Sequence, residues 1–274
     1  MKDFNTTILS NQEISPGFFR MRVLAPGFEE GLLPGQFVMM RIQRNPAPFL
    51  RRPFCIFRTG SLPAECDGLA VREYLELLYK VVGQGTAIMA TLHGGDRVDI
   101  LGPLGHGFDV DFGAGEAILV AGGIGVAPLF MLGETLIRQR RVELLLGARC
   151  REEVLAVTEF ERQGIETYVS TDDGSLGRKG LVTEVLEQRL KEGTPAAVMA
   201  CGPLPMLKEI HRICNSYGVP LQVSLESLMG CGVGACLGCV IKGAGHSEQS
   251  PRQLTVCEDG PVFRDGDIDW SQWP

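Results

Sequence analysis

The chain has 274 residues and 29.8 kDa, long enough for two domains and an appendage. Its 45% hydrophobic and 22% charged residues exclude a disordered, collagenous or coiled-coil chain, and a net charge of −7 removes any overall attraction to nucleic acid or to an anionic membrane. Phosphate-bearing ligands therefore need local sites, and the excess of glycine, 35 residues, points to tight turns and close approach of backbone to ligand.

In the opening MKDFNTTILSN, Asp3 and Asn5 interrupt any signal-peptide core, so a reducing, cytoplasmic setting is expected. The longest uncharged stretch, 117–133, is too short for a membrane span and is broken by Gly122, Gly123, Gly125 and Pro128, so no membrane insertion is expected. Residues 1–111 read as short strands, with Phe19, Met21 and Val23 alternating with polar neighbours and APGF and LPGQ marking turns; this predicts an antiparallel β-barrel. From Glu116 the rhythm becomes strand then helix. AILVAGG precedes VAPLFMLGETLIRQR, VELLLGA precedes a charged helix, TYVST follows, and a further helix lies near LVTEVLEQRLKE, which predicts a parallel-sheet α/β domain over 112–222. Residues 223–274, rich in Gly and Cys with little periodicity, read as a small third domain pinned by a cofactor.

Cys231, Cys236, Cys239 and Cys257 stand as C-x4-C-x2-C followed after seventeen residues by a fourth cysteine, and the first two spacings match a plant-type 2Fe-2S loop. Gly232, Gly234 and Gly238 let backbone amides fold toward the sulfurs. The alternative is a structural four-cysteine zinc site, which usually has paired C-x2-C knuckles, whereas Cys257 stands alone. Cys55, Cys66, Cys150, Cys201 and Cys214 lie far from this run; most are expected to be packed small hydrophobes, and Cys55 and Cys201 draw interest through their neighbours.

Gly122, Gly123 and Gly125 follow an apolar strand, and Pro128 opens a helix. That arrangement lets a pyrophosphate approach the backbone while the helix amides face its charge. The pattern is not G-x-G-x-x-G, and a plain packing turn is the alternative. Thr171 and Asp172 after TYVS, with Asp173 and Gly174 beyond, and Cys201, Gly202 and Pro203 after a buried strand, also fall at strand carboxyl ends, where open parallel sheets bind ligands. Three such ends favour a nicotinamide nucleotide in one crevice. Arg149 and Arg151 after VELLLGA face either a 2′-phosphate or solvent.

Arg51 and Arg52 precede a stiff Pro53-Phe54-Cys55-Ile56 run, where an arginine can pair bidentately with phosphate or form a solvated surface pair. Tyr79 and Lys80, followed by Gly83, Gly85 and Thr86, offer a second phosphate cradle. A nicotinamide moves an electron pair as hydride and a 2Fe-2S centre accepts one electron at a time, so a flavin is expected between them, with direction set by relative potentials.

Together these segments resemble the iron-sulfur flavoprotein electron-transfer subunits of bacterial dihydroorotate dehydrogenase, within the ferredoxin-NADP reductase superfamily. LRRPFCIF resembles the family's Arg-Pro-x-Ser flavin segment, LYKVVGQGT its flavin phosphate segment and DILGPLGHGF the crossing that follows. AGGIGVAPL and CGPLPML resemble its nucleotide motifs, and CGVGACLGC with VCEDGPVF its cluster loops. The resemblance implies an FAD-binding barrel (1–111), an NAD-binding domain (112–222) and a 2Fe-2S domain (223–274). It implies that Arg52, Pro53, Phe54 and Cys55, with Leu78, Tyr79, Lys80, Gly85 and Thr86, bind FAD, and that the four clustered cysteines hold the 2Fe-2S cluster. It also favours NAD over NADP. Cys55 stands where the family commonly has Ser, and a thiol bonds the flavin N5 more weakly than a hydroxyl. Phe54 replaces a small aliphatic residue and is expected to fill the barrel wall.

The resemblance further implies that dihydroorotate is oxidised to orotate, in pyrimidine biosynthesis, on a separate FMN-containing catalytic subunit of a heteromeric assembly, expected to be a heterotetramer. Electrons then reach NAD through this chain. No catalytic acid or base is expected here, since His93 and His106 fall in loop-like segments. Two other readings stay open. A reductase subunit of a hydrogenase or ferredoxin-NADP oxidoreductase complex shares the cysteine pattern, and a non-enzymatic zinc-stapled binding protein would be colourless.

Overall fold

Period-two burial along Phe18–Leu24 separates two environments: Phe19, Met21 and Val23 face one apolar core, and Phe18 faces another on the opposite side of the strand. The computed structural model describes residues 1–42, 49–62, 72–245 and 252–272, and Cys66 lies outside them. Strands β1 (Lys2–Ser15), β2 (Phe18–Leu24), β3 (Phe37–Ile42), β4 (Arg52–Leu62), β5 (Arg72–Lys80) and β6 (Arg97–Leu104) close an antiparallel barrel in the order β1-β2-β5-β4-β3-β6. Helix α1 (Gln84–Met89) lies between β5 and β6. Closure leaves no free edge for the first core, which holds Met21, Val38, Met40, Ile56, Leu75 and Leu77.

The second unit alternates as expected: β7 (Ala117–Gly122), α2 (Ala127–Leu136), β8 (Val142–Ala148), α3 (Val157–Arg162), β9 (Glu166–Thr171), β10 (Arg178–Lys179), α4 (Val182–Glu192), β11 (Ala197–Cys201), α5 (Leu204–Tyr217) and β12 (Leu221–Ser224). Every residue of β8 and β11 is buried, the signature of parallel strands covered on both faces. The buried Glu143 of β8 is compensated by Arg189, which donates to both carboxylate oxygens, and by Arg141 at 2.7 Å. Helix α5 buries Leu207, Ile210, Ile213 and Cys214 on one stripe and stops at Gly218, whose φ of 66° supplies the left-handed cap.

The remaining strands are β13 (Val240–Lys242), β14 (Gln253–Thr255) and β15 (Val262–Arg264). β13 and β14 pair as a ribbon, whereas β15 adds antiparallel to β12, so the large sheet runs β10-β9-β8-β7-β11-β12-β15. The expected division between residues 222 and 223 falls inside β12. Val223 pairs with Phe263, and the Leu225 amide donates to the Pro261 carbonyl at 2.9 Å, so the cysteine-bearing segment leaves the sheet and returns to it. His211 of α5 anchors the end of the chain: its Nδ1 lies 2.5 Å from Asp265 Oδ1, and Trp270 stacks on its ring at 4.8 Å. Among the described residues no helix is long and apolar enough to cross a membrane.

Barrel and α/β domain meet along a seam. Phe57 of β4 stacks on Phe130 of α2 with ring centroids 4.4 Å apart, and Phe130 meets Phe160 of α3 edge-on at 5.0 Å. Around this apolar centre Arg20 pairs with Glu159, Lys80 with Glu153 at 3.0 Å, and Ser15 Oγ donates to the Glu152 carbonyl at 2.6 Å. Because Phe57 is fully buried, Phe57→Ala should cost about 3–5 kcal/mol of unfolding free energy in denaturant titrations. A loss below about 1 kcal/mol would show that the stack does not hold the seam.

Candidate functional site

Two cavities open along the seam, and the residues singled out by sequence divide between them. The first, ≈ 320 Å³, lies where β4 begins and β5 ends. Arg52, Pro53, Phe54, Cys55, Leu78, Tyr79, Lys80 and Thr86 all line it. A Cβ at Gly85 would collide with the Arg52 guanidinium, so glycine there lets that side chain lie across the start of α1. Thr86 Oγ1 accepts from the amides of Val82 (2.9 Å) and Gly83 (3.1 Å), fixing the turn from β5 into α1. Arg51 turns away and pairs with Asp3.

Phe54 packs in the barrel core and meets Tyr79 edge-on at 6.0 Å, as expected for wall packing. Tyr79 stacks on Phe19 at 5.3 Å and donates its hydroxyl to Asn11 Oδ1 at 3.0 Å; burial pushes its pKa to about 12. Burial, then the facing carboxylate of Glu226, pushes the Cys55 thiol to about 12, so it stays a neutral, weak donor. Glu226 lies on the opposite wall with Ser227 and Met229, and burial raises its carboxyl pKa.

The second cavity, ≈ 620 Å³, lies at the carboxyl ends of the parallel strands. Gly122 and Gly123 of the β7–α2 turn and Pro203 after β11 line it, and Ala121 pairs with Cys201, which brings the two glycine segments side by side. The packing there is intimate. A Cβ at Gly122 would lie 2.7 Å from Pro203 Cδ, one at Gly125 would strike the Cys201 carbonyl, and one at Gly202 would lie 3.0 Å from the Gly122 backbone. Gly123 adopts φ 53° with open space beside it, as a turn presenting backbone to a ligand requires.

Other expected residues serve the wall from behind. Cys201 is buried, and burial first, with the nearby Cys55 second, holds its thiol well above the ordinary range. Asp172 lines the cavity, whereas Thr171 is fully buried and its hydroxyl donates to the Leu176 carbonyl at 2.8 Å within its own loop. Arg149 lines the cavity, and Arg151 is tied to the Ser175 carbonyl at 2.7 Å. Neither His93 nor His106 lines either cavity; His93 sits in a turn, and His106 Nδ1 lies 3.2 Å from the Asp259 carbonyl.

The third feature starts on the wall of the first cavity. Met229 lines that cavity and Cys231 follows two residues later, within roughly 7 Å of extended chain. Cys236 lies beside Cys231, and both Cys239 and Cys231 lie near Cys257. The Cys231 sulfur accepts from the amides of Val233 and Cys236, both at 3.4 Å, and the Cys257 sulfur from Gly234 at 3.1 Å. Burial would raise the Cys231 thiol, but these amides outweigh it and bring its pKa to about 7. Gly232 and Gly234 have φ of 77° and 72°; a Cβ would strike Met39 at the first and Glu258 at the second. Leu237, a non-glycine at φ 55°, carries backbone strain between two of the cysteines. Amides directed at the Cys231 and Cys257 sulfurs offset thiolate charge, as a thiolate-bound iron-sulfur centre needs.

Residues 226–269 match the model of the iron-sulfur cluster binding domain of dihydroorotate dehydrogenase B, and residues 119–212 that of an oxidoreductase NAD-binding domain. The chain is 38% identical over 270 residues, 98% of its length and 99% of the relative's, to the electron transfer subunit of dihydroorotate dehydrogenase B (NAD(+)) from Desulforamulus reducens. It is 40% identical, over 96% of both chains, to the subunit of the same name from Geobacillus thermodenitrificans. It belongs to this family of electron transfer subunits.

Among solved structures it is similar to an NADH-dependent reduced ferredoxin-NADP oxidoreductase studied for flavin-based electron bifurcation, with TM-score 0.82, 28% identity and coverage of 97% of this chain and 90% of that one. A ferredoxin NADP+ reductase from Neisseria gonorrhoeae with bound FAD and NADP shares the fold at TM-score 0.63 and 21% identity, over 80% of this chain and 92% of that one. The matched family models thus give this family member an iron-sulfur cluster binding domain and an NAD-binding domain.

Sequence reasoning missed Glu226 and Met229 on the first cavity and Glu153, Met206 and Glu209 on the second as site residues. Glu153 carried a signal, its spacing of four from Arg149. Glu226 carried none, because only the course of the cysteine segment brings it opposite Cys55. Gly125→Ala should weaken NADH binding, followed by flavin fluorescence titration, by at least about tenfold, since the methyl group must displace the Cys201 carbonyl and open the turn by tenths of an ångström. Unchanged affinity would remove that turn from the nucleotide site.

Proposed function

We propose that this chain carries electrons between the FMN of a separate catalytic subunit and NAD, as the electron transfer subunit of an NAD-dependent dihydroorotate dehydrogenase in pyrimidine biosynthesis. The observation that carries the reading is the continuity of three sites: the nucleotide cavity and the flavin cleft share Lys80 and Ile124, and the flavin-cleft wall runs into the cysteine loop through Met229. Bound there, FAD exchanges hydride pairs for single electrons and the 2Fe-2S cluster relays those electrons singly.

The chain's residues do the holding. Arg52 and the α1 turn receive the flavin phosphates, while Pro53, Phe54, Cys55, Leu78 and Tyr79 form an apolar wall that orients the ring system and excludes water. Gly122, Gly123 and Pro203 admit the nucleotide's pyrophosphate against backbone, with Pro128 starting α2 behind it. Cys231, Cys236, Cys239 and Cys257 ligate the cluster, and the amides of Val233, Gly234 and Cys236 compensate the thiolate charge. No acid or base on this chain is required, since dihydroorotate is oxidised on the partner.

A heterotetramer of two chains of each kind is the proposed assembly, in the cytoplasm, where thiols destined for a cluster stay reduced. The test is anaerobic co-purification with the catalytic subunit, with spectra and quantification of iron, sulfide and flavin, repeated for Cys257→Ser. Wild type should carry flavin and iron-sulfur bands. The variant should keep FAD and lose most of the iron and most of the electron transfer to NAD. Cluster content unchanged by the substitution would remove Cys257 from the ligand set, and a preparation without flavin or iron would end the reading.

A further inference from the structure

One wall of the first cavity is a strap held only at its ends. Leu225, Glu226, Ser227 and Met229 line that cavity opposite the barrel strands β4 and β5, and they belong to the segment that leaves β12 and runs to Cys231. At the upstream end the Leu225 amide donates to the Pro261 carbonyl at 2.9 Å. At the downstream end a Cβ at Gly230 would lie 3.4 Å from the Cys236 sulfur, and the Cys231 sulfur collects the amides of Val233 and Cys236. Between these points, among the described residues, 226–230 form no hydrogen bond or ion pair through backbone or side chain. Leu228, in the middle, is 91% exposed.

A segment without bonds of its own is placed by its two ends. The upstream end is built into the large sheet. The downstream end is set by the cysteine loop, which lies on the barrel: a Cβ at Gly232 would strike the fully buried Met39 and lie 3.3 Å from Leu104. Met39 pairs with Pro53 across β3 and β4, and Pro53 stands on the wall that faces the strap. Fixing the cysteines therefore fixes the strap relative to the opposite wall. Ordering free backbone costs conformational entropy residue by residue, and whichever ligand orders the strap first relieves the second of that cost.

We propose that residues 226–230 couple the two prosthetic sites: cluster ligation at Cys231 orders the strap and tightens FAD binding in the first cavity, and FAD tightens cluster retention by the same factor. This rests on the reading of the first cavity as the flavin site and of the cysteine loop as the cluster site, and the experiment separates the two. The full chain is stripped of FAD and cluster anaerobically, and FAD affinity is measured by equilibrium dialysis before and after the cluster is rebuilt with ferrous iron and sulfide. Cys257→Ser, whose substitution lies outside the strap, is carried through the same steps.

Rebuilding the cluster in wild type should lower the Kd for FAD at least about fivefold, and the same treatment of Cys257→Ser should leave it unchanged. Chymotryptic cleavage after Leu228 should slow both when FAD is added and when the cluster is rebuilt. Met229→Ala, which removes the strap's long apolar side chain from the cavity wall, should cut the gain in FAD affinity to below roughly twofold, and Met229→Leu should keep it. FAD affinity or cleavage indifferent to the cluster, or a gain that survives Met229→Ala in full, overturns the proposal while leaving both sites in place. A chain that takes up neither FAD nor iron under these conditions overturns the proposed function with it.

Discussion

The fold depends on one apolar contact, where a closed barrel is pressed against an open, largely parallel sheet and its helices. Barrel and sheet meet chiefly through side chains, with Phe57 against Phe130 at the centre, and the chain leaving the barrel adds a backbone bond from the His106 amide to the Gly260 carbonyl at 2.6 Å. Ion pairs around that contact exclude slippage more than they add stability, since partly exposed pairs contribute little. Both cavities lie along this seam, and Lys80 and Ile124 form a wall common to the two.

Glycine does a different job at each end of the route. In the α/β domain Gly122, Gly125 and Gly202 remove side chains where two strand-to-turn segments cross, which draws the backbone of both into the wall of one cavity. In the cysteine loop Gly232 and Gly234 supply left-handed backbone, which turns amides inward toward sulfur. The first is a constraint of space, the second of dihedral angle. Leu237 adopts the same left-handed region at a cost of order 1–3 kcal/mol, and strain of that kind persists where ligation over-determines the backbone.

The cysteine segment is tied into the large sheet at both ends. It is enclosed by β12 and β15 of the large sheet, and the chain end is fastened to α5 through His211, Asp265 and Trp270. This arrangement fixes the cysteine loop against the first cavity, and with it the short path through Met229 to Cys231. The thiol of Cys55 is held neutral on the wall of the first cavity, because burial raises its pKa to about 12.

Local pattern alone marked three segments. Alternation in β2, the apolar run of β7 ending in glycines, and the C-x4-C-x2-C spacing each reflect a requirement met within a few residues: a pleat, a turn that admits phosphate, a loop that brings sulfurs together. The tertiary structure decided what depends on distant segments meeting. It set β15 beside β12, which takes the third domain into the second domain's sheet, and Glu226 opposite Cys55. It also turned Thr171 into its own loop and closed Arg149 and Lys80, 69 positions apart, onto the single carboxylate of Glu153. A sequence records which groups can pair; which pairing wins is settled by the desolvation and geometry that only packing imposes.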